Sequence, residues 1–380
     1  MMKKGLLSFA VCAALLTSSA FAGTVQTATN NDISLYGEIK YYTGWAKRCD
    51  FMGNTAYESD NDKVKYGSYI GDTLLGADIK NRNENLEGKI EGDFSNDGIF
   101  GLTYAYVQHN LNNGLFVLLG KTDQIAESNT FSNNDSAPAR FNGTDQVMQI
   151  RVGGSFDMGS VTITPEIALE DIKDILINED KINIKRVEFP GIGLKLSGEF
   201  KTGFGDPARI YAFYEFQNLK IKNNSKEKSK TPYVYGAGFD LPVNIAEIQS
   251  EYIYGKGSLN YAGAASAGDL SIPGGYYTEG NSLKERKFYA YNIEVSVSPT
   301  DILNIYGGYD YVRFEDHIKE AGDNTAKNTQ TVFAGINLST TKVTTLSLEW
   351  DHFRTEYYPQ VNNSETASAN QVFLMYDYAF

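Results

Sequence analysis

Apolar and polar residues alternate along most of this chain. Between Asn31 and Gly44, Ile33, Leu35, Ile39 and Tyr41 fall on one face of an extended segment, while Ser34, Tyr36, Glu38 and Lys40 fall on the other. Residues 85–95 repeat the pattern, with Leu86, Gly88 and Ile90 opposite Glu87, Lys89, Glu91 and Asp93. The unit recurs as about ten alternating residues followed by a turn. It predicts strands at 33–45, 66–80, 85–95, 100–111, 114–122, 145–156, 159–172, 191–202, 208–222, 232–241, 243–256, 287–299, 301–314, 329–340, 342–355 and 368–380. These make sixteen. Segment 180–189 is a further candidate, and about fourteen to eighteen strands fit the rhythm.

The connections alternate as well. Short turns are expected at Asn81–Glu84, Asn112-Asn113, Asp157-Met158, Gly203–Pro207, Pro242, Pro299–Asp301 and Thr340-Thr341. Between them lie long connections at 46–65, 123–144, 173–190, 223–231, 257–286, 315–328 and 356–367, with 96–99 the short member of that set. The long connections therefore leave one end of the sheet. With an even strand number, this is the plan of a transmembrane antiparallel β-barrel with short periplasmic turns and long external loops. Hydrocarbon offers no partner to backbone N–H and C=O groups, so a sheet that crosses it must close on itself. The apolar face of each segment then meets lipid, and the charged face lines the lumen.

Composition agrees. Tyr (26), Phe (21) and Gly (36) are abundant, and Pro (9) and His (3) are scarce. No stretch after residue 22 approaches the ~18 apolar residues of a membrane helix. At the N-terminus, Lys3 and Lys4 precede an apolar run from Gly5 to Leu16, and Ala20-Phe21-Ala22 gives a small-x-small cleavage pattern. Residues 1–22 are expected to be a secretory signal peptide and 23–380 a single barrel domain. Without Lys3 and Lys4, 32 basic residues (34 − 2) face 47 acidic ones, a net charge of −15 that argues against a nucleic-acid partner. Cys49 is then the remaining cysteine, either a loop passenger or an intermolecular contact.

The sequence ends with Val372, Leu374, Tyr376, Tyr378 and Phe380 on one face. Tyr376, Tyr378 and Phe380 resemble the C-terminal signature of bacterial outer-membrane proteins, which implies recognition by the barrel-assembly machinery. Further segments carry a second resemblance. They are Asp32-Ile33-Ser34-Leu35-Tyr36-Gly37, Leu86-Glu87-Gly88-Lys89-Ile90-Glu91-Gly92-Asp93-Phe94, Tyr104-Ala105-Tyr106-Val107, Leu118-Leu119-Gly120-Lys121-Thr122-Asp123, and the stretch Arg140 to Val152. Together they resemble the Gram-negative trimeric porin family, over residues 32–152 and at the C-terminus.

That resemblance implies a homotrimer in the outer membrane, in contact with lipid and lipopolysaccharide. It also implies a third external loop, about 123–144, folded into the lumen. Carried over, the loop acids are Asp123, Glu127 and Asp135, with Arg140 on the return. Opposing charges would come from Lys40, Lys89, Arg151, Lys195 and Arg209.

Inward positions carry the acids Glu38, Asp78, Glu87, Glu91, Asp93, Glu166, Glu170, Glu199, Glu215, Glu247, Glu251, Glu294, Asp310, Glu349, Asp351 and Asp377. The expected inward bases are Lys40, Lys80, Lys89, Lys121, Arg151, Lys195, Lys201 and Arg209. Sixteen acids against eight bases predict a weak cation preference. The expected function is passive diffusion of small hydrophilic solutes and ions. The alternatives are a substrate-specific channel and a surface structural or adhesive barrel of little conductance.

Other chemistry is poorly supported. His109, His317 and His352 lack an identifiable nucleophile partner. Asp60-Asn61-Asp62 and Asn178-Glu179-Asp180 lack the spacing of a dedicated calcium loop. Gly203 to Ala208 leads into a strand rather than the helix a nucleotide-binding turn requires. No enzyme activity, metal or cofactor is expected. Lys226-Glu227-Lys228-Ser229-Lys230 is a basic loop that either leans on lipopolysaccharide or is a plain polar tip.

Overall fold

In the computed structural model the described residues are 24–26, 31–48, 63–81, 83–94, 101–111, 113–126, 146–171, 182–187, 190–223, 226–257, 276–279, 282–315, 326–357 and 366–380. Sixteen strands form the wall. They are β1 (Asn31–Lys47), β2 (Val64–Asn81), β3 (Leu86–Asp93), β4 (Gly101–Asn110), β5 (Leu115–Asp123), β6 (Gln146–Gly154), β7 (Val161–Glu170) and β8 (Gly191–Phe200). Then follow β9 (Ala208–Phe216), β10 (Tyr233–Val243), β11 (Ala246–Lys256), β12 (Lys287–Thr300), β13 (Leu303–Glu315), β14 (Ala326–Ser339), β15 (Thr344–Tyr357) and β16 (Thr366–Ala379). Each pairs antiparallel with the next.

The sheet closes where β16 meets β1, from Glu38 opposite Ala379 to Lys47 opposite Asn370. Gly37 and Phe380 exchange both backbone hydrogen bonds at 2.9 Å, so the last residue completes the ladder. Beyond it, Thr24–Gln26 pairs with Asp32–Ser34 and continues the edge of β1 where β16 has ended. An unpaired edge at this place would be exposed to hydrocarbon.

Three expectations shift. The segment 208–222 is interrupted at Gln217-Asn218: its second half, Leu219–Asn223, pairs with Lys226–Lys230 and with Ile182–Val187 in a separate three-stranded sheet. The candidate strand at 180–189 therefore forms outside the wall. The turn expected at Pro242 lies two residues later, because Asn244 adopts the left-handed conformation (φ 59°) that asparagine tolerates. Pro242 stays in the ladder opposite Glu247. The β4–β5 turn centres on Asn113 and Gly114 (φ 82° and 77°), both in the left-handed conformation that asparagine and glycine tolerate.

Outward positions are apolar and exposed around the ring, among them Leu35, Ile90, Leu119, Ile150, Leu196, Ile210, Ile293 and Leu348. A continuous surface of this kind is far larger than the patches water-soluble proteins expose. At the loop end of β9–β13 it carries tyrosines. Tyr214, Tyr233, Tyr235 and Tyr254 form one set of ring contacts, and Tyr289, Tyr291, Tyr309 and Tyr311 another. Such girdles mark the boundary between hydrocarbon and water.

The inner face has a repeated packing unit. Tyr36 of β1 lies over Gly76 of β2, and its hydroxyl donates to Glu91 of β3 at 2.7 Å. Tyr211, Gly238 and Glu251 repeat this on β9–β11, and Tyr306, Gly335 and Glu349 on β13–β15. On β5–β7, Phe116, Gly153 and Glu166 occupy the same register without the hydroxyl. Each glutamate is the sixth residue of its strand. The glycine is required by close approach, since a Cβ there would strike the ring.

Gly335→Val is expected to push the Tyr306 ring off the wall and part its hydroxyl from Glu349. The overpacking should destabilise the barrel by about 1–3 kcal/mol, read as a lower urea midpoint for the refolded protein. Val introduced at Gly203, whose added Cβ meets nothing within 4 Å, is the control expected to leave that midpoint in place.

Candidate functional site

The lumen is built from the inward half of each strand. The register places all sixteen acids named from the sequence on inward positions and adds Asp240, which pairs with Arg209 and Gln249. Lys40, Lys80, Lys89, Arg151, Lys195 and Arg209 are inward as well. Two bases are not. Lys121 follows Leu115, Val117 and Leu119 on the outward face, opposite Ala105 and Met148. Its long stem lets Nζ reach the Leu102 carbonyl at 2.5 Å near the rim. Lys201 lies past the end of β8 and donates to the Gly159 carbonyl at 2.6 Å.

The inward bases are held individually rather than in a ladder. Lys40 lies 3.6 Å from Glu38. Lys89 lies 3.1 Å from Glu91, with its ammonium 4.1 Å from the Tyr104 ring centroid and 5.3 Å from that of Tyr36. Lys195 and Arg209 both face the Tyr211 ring, at 5.5 and 5.8 Å. These six bases occupy one arc, while Arg286, one residue before β12, is fully buried on the other. On the paired inward positions of β10–β16, the described charged residues are Asp240, Glu247, Glu251, Glu294, Asp310, Glu349, Asp351 and Asp377, all acids.

Asp123 marks the root of an inward segment. It accepts hydrogen bonds from Tyr104 (2.6 Å) and Gln146 (3.1 Å) at the end of β5. The chain then turns into the barrel: Gln124, Ile125 and Ala126 are 2%, 0% and 1% exposed. Four wall residues fasten the root. Glu170 accepts the Ile125 N–H at 2.7 Å, and Gln149 donates to the Thr122 and Asp123 carbonyls. Arg151 donates to the Asp123 carbonyl at 2.6 Å and pairs with Glu166 at 3.4 Å. Gly193 makes room for the Ile125 side chain. Asp123 and Arg151 are thus brought together. Glu127, Asp135 and Arg140 lie outside the described residues.

Ala126 joins a buried apolar cluster with Tyr211, Phe213, Val234, Ile253, Phe288, Ala290, Val312 and Phe314 of the β9–β13 wall. This corrects the expectation of a uniformly polar inner face. Towards the loop end, inward positions of β9–β16 include Phe288, Phe314, Phe353 and Phe373, all buried. An inward segment must bury its own apolar side chains, and this band gives them a seat. Gln149 and Gly193 escaped the sequence reading because their roles depend on a partner outside their own strand. His109 and His352 occupy outward positions, with His352 Nδ1 3.0 Å from Asn370, and His317 lies outside the described residues.

No family model matches the sequence, and comparison with curated proteins gives no match. Solved structures do match. The outer membrane channel DcaP of Acinetobacter baumannii is 19% identical, with a TM-score of 0.76 over 94% of this chain and 100% of that one. OmpT of Vibrio cholerae, an outer membrane protein, is 12% identical with a TM-score of 0.58, covering 94% of this chain and 100% of OmpT. The anion-selective porin from Comamonas acidovorans is 13% identical with a TM-score of 0.56, covering 92% and 100%. The chain has the sixteen-stranded barrel fold of the outer-membrane porins.

The fastened root has a measurable consequence. Gly193→Val would drive a side chain into Ile125, and Arg151→Ala removes a charge-assisted hydrogen bond worth about 1.5–3 kcal/mol. Both should loosen the segment from the wall and raise single-channel conductance, with the β-sheet circular dichroism unchanged. Wild-type conductance in both variants would show that the segment does not set the narrowest point.

Proposed function

We propose that the chain is an outer-membrane channel for passive diffusion of small hydrophilic solutes and ions, with a weak preference for cations. The observation that carries this is the inner wall. Acids outnumber bases on inward positions, and the described charged residues on the paired inward positions of β10–β16 are acids, with the buried Arg286 just before β12 outside that set. A narrow passage between low-dielectric walls focuses that field and concentrates cations. The shared fold does not set the sign, since one structural neighbour is an anion-selective porin. The constriction is assigned to the segment about 123–144, with Asp123, Glu127, Asp135 and Arg140 facing Lys40, Lys89, Arg151, Lys195 and Arg209.

A substrate-tuned channel is the second reading. It is favoured by the tyrosine rings on the inward face of β1–β4, where Tyr36 and Tyr104 face the Lys89 ammonium and Tyr106 stands opposite Lys89 in the ladder. Solute-dependent block of single-channel current would select it, and a silent bilayer would select a structural or adhesive barrel. Tyr376, Tyr378 and Phe380 serve as the assembly signal in this reading. A homotrimer is proposed by analogy with OmpT, for which a trimer form is recorded.

The test is a reversal potential in a salt gradient across a planar bilayer. The expected sign is cation-selective. Glu247→Gln combined with Glu294→Gln, which removes two neighbouring charges from the acidic arc, should lower the cation-to-anion permeability ratio by about twofold. A clear anion preference in the wild type would overturn the reading.

A further inference from the structure

Two inward rungs of the β1–β4 wall build an aromatic enclosure. One runs Tyr36, Gly76, Glu91 and Tyr104 across the four strands, and the next carries Asp78, Lys89 and Tyr106. Gly76 has no side chain, so Tyr36 lies over it and reaches Glu91 on β3. Two ring hydroxyls donate to carboxylates, Tyr36 to Glu91 at 2.7 Å and Tyr104 to Asp123 at 2.6 Å. A phenol hydrogen-bonded to an anion holds more electron density in its ring, which strengthens the pull of the ring face on a cation. Here the chain supplies that cation itself. The Lys89 ammonium lies 4.1 Å from the Tyr104 centroid, 5.3 Å from that of Tyr36 and 3.1 Å from Glu91, and its side chain is 24% exposed. The enclosure therefore holds an alkylammonium group, and holds it within reach of water. Through Tyr104 and Asp123 it also stands beside the root of the inward segment.

We propose that this enclosure is a subsite for organic ammonium solutes, and that Lys89 occupies it until a solute displaces it. The proposal rests on the channel reading for how such a solute arrives, and it names the solute class for the substrate-tuned form of that reading. The lysine head rides on a flexible four-carbon stem, so it can leave while its backbone stays in the ladder. The exchange is favourable for a quaternary ammonium. Such a group has no N–H to satisfy and suits ring faces, while the displaced lysine ammonium is strongly hydrated and returns to water. Glu91 and Asp78, on the same two rungs, supply the opposite charge. Small hard metal ions are poor occupants, because they ask for a shell of oxygen ligands that ring faces do not provide.

The full chain, purified in a maltoside detergent that carries no ammonium, is titrated with choline and separately with dimethylbutanol, the uncharged carbon isostere of choline. Binding is read by saturation-transfer NMR. The wild type should bind choline and not the alcohol. Tyr104→Leu should weaken choline binding about fivefold. Tyr104→Phe, which loses the same bond to Asp123 but keeps the ring, should stay within about twofold of the wild type. Lys89→Gln removes the resident cation and should tighten choline binding about fivefold, a gain that Lys89→Gln/Tyr104→Leu should lose. A gain that survives in the double variant reflects only a more negative lumen and overturns the proposal. Equal binding of choline and the alcohol overturns it, as does equal choline binding by the wild type, Tyr104→Leu and Lys89→Gln. Binding is read without current, so the two readings fail separately. A cation-selective channel that does not bind choline overturns the subsite alone. A barrel that binds choline through Tyr104 but is silent in a planar bilayer keeps the subsite and overturns the channel.

Discussion

Hydrocarbon leaves a polypeptide backbone no partner but itself, at a cost of several kcal/mol for each N–H or C=O left over. Everything else in this structure follows from meeting that demand with strands. The ladder runs unbroken from β1 round to β16, and the two hydrogen bonds between Gly37 and Phe380 carry it to the final residue. Once the backbone is satisfied this way, side chains at alternate positions are committed to opposite environments. The exterior can be almost wholly apolar, and the charges that make the chain acidic are gathered inside.

The interior that results is not one surface but three. One arc, β1 to β9, mixes acids with lysines and arginines that are each held by a carboxylate or an aromatic face. The facing arc, β10 to β16, carries acids alone among its described paired inward charges. Towards the loop end a band of buried phenylalanines receives Ala126, the innermost described residue of the segment that leaves β5. The segment is anchored at its root by polar wall residues of β6 and β7 and seated against the apolar band across the lumen. Polar anchoring with apolar seating holds Gln124, Ile125 and Ala126 inside the barrel.

Much of this was legible in the sequence because period-2 alternation is a strong signal when both faces are chemically extreme. The sixteen wall strands, the alternation of short and long connections, and the inward acids could all be read from it. The misses have specific causes. Lys121 carries a charge that suggests the lumen, whereas Leu115, Val117 and Leu119 set its parity outward. The break at Gln217-Asn218 is invisible to alternation, since strand character continues on both sides. The inward phenylalanines cannot be told from lipid-facing ones until the ladder says which face is inside. The aromatic–glycine–glutamate units need three strands in register, and no single strand carries that information.

Those units have a mechanical consequence. They span β1–β3, β5–β7, β9–β11 and β13–β15, with a hydrogen bond across all but the second, and β4, β8, β12 and β16 stand between the units. The hoop is therefore stitched in four panels, and the seam where the chain meets its own beginning falls between panels. Every stitch spans three strands consecutive in the chain, so each panel can be fastened while the cylinder is still open. The final act of zipping β16 to β1 then disturbs no fastening already made.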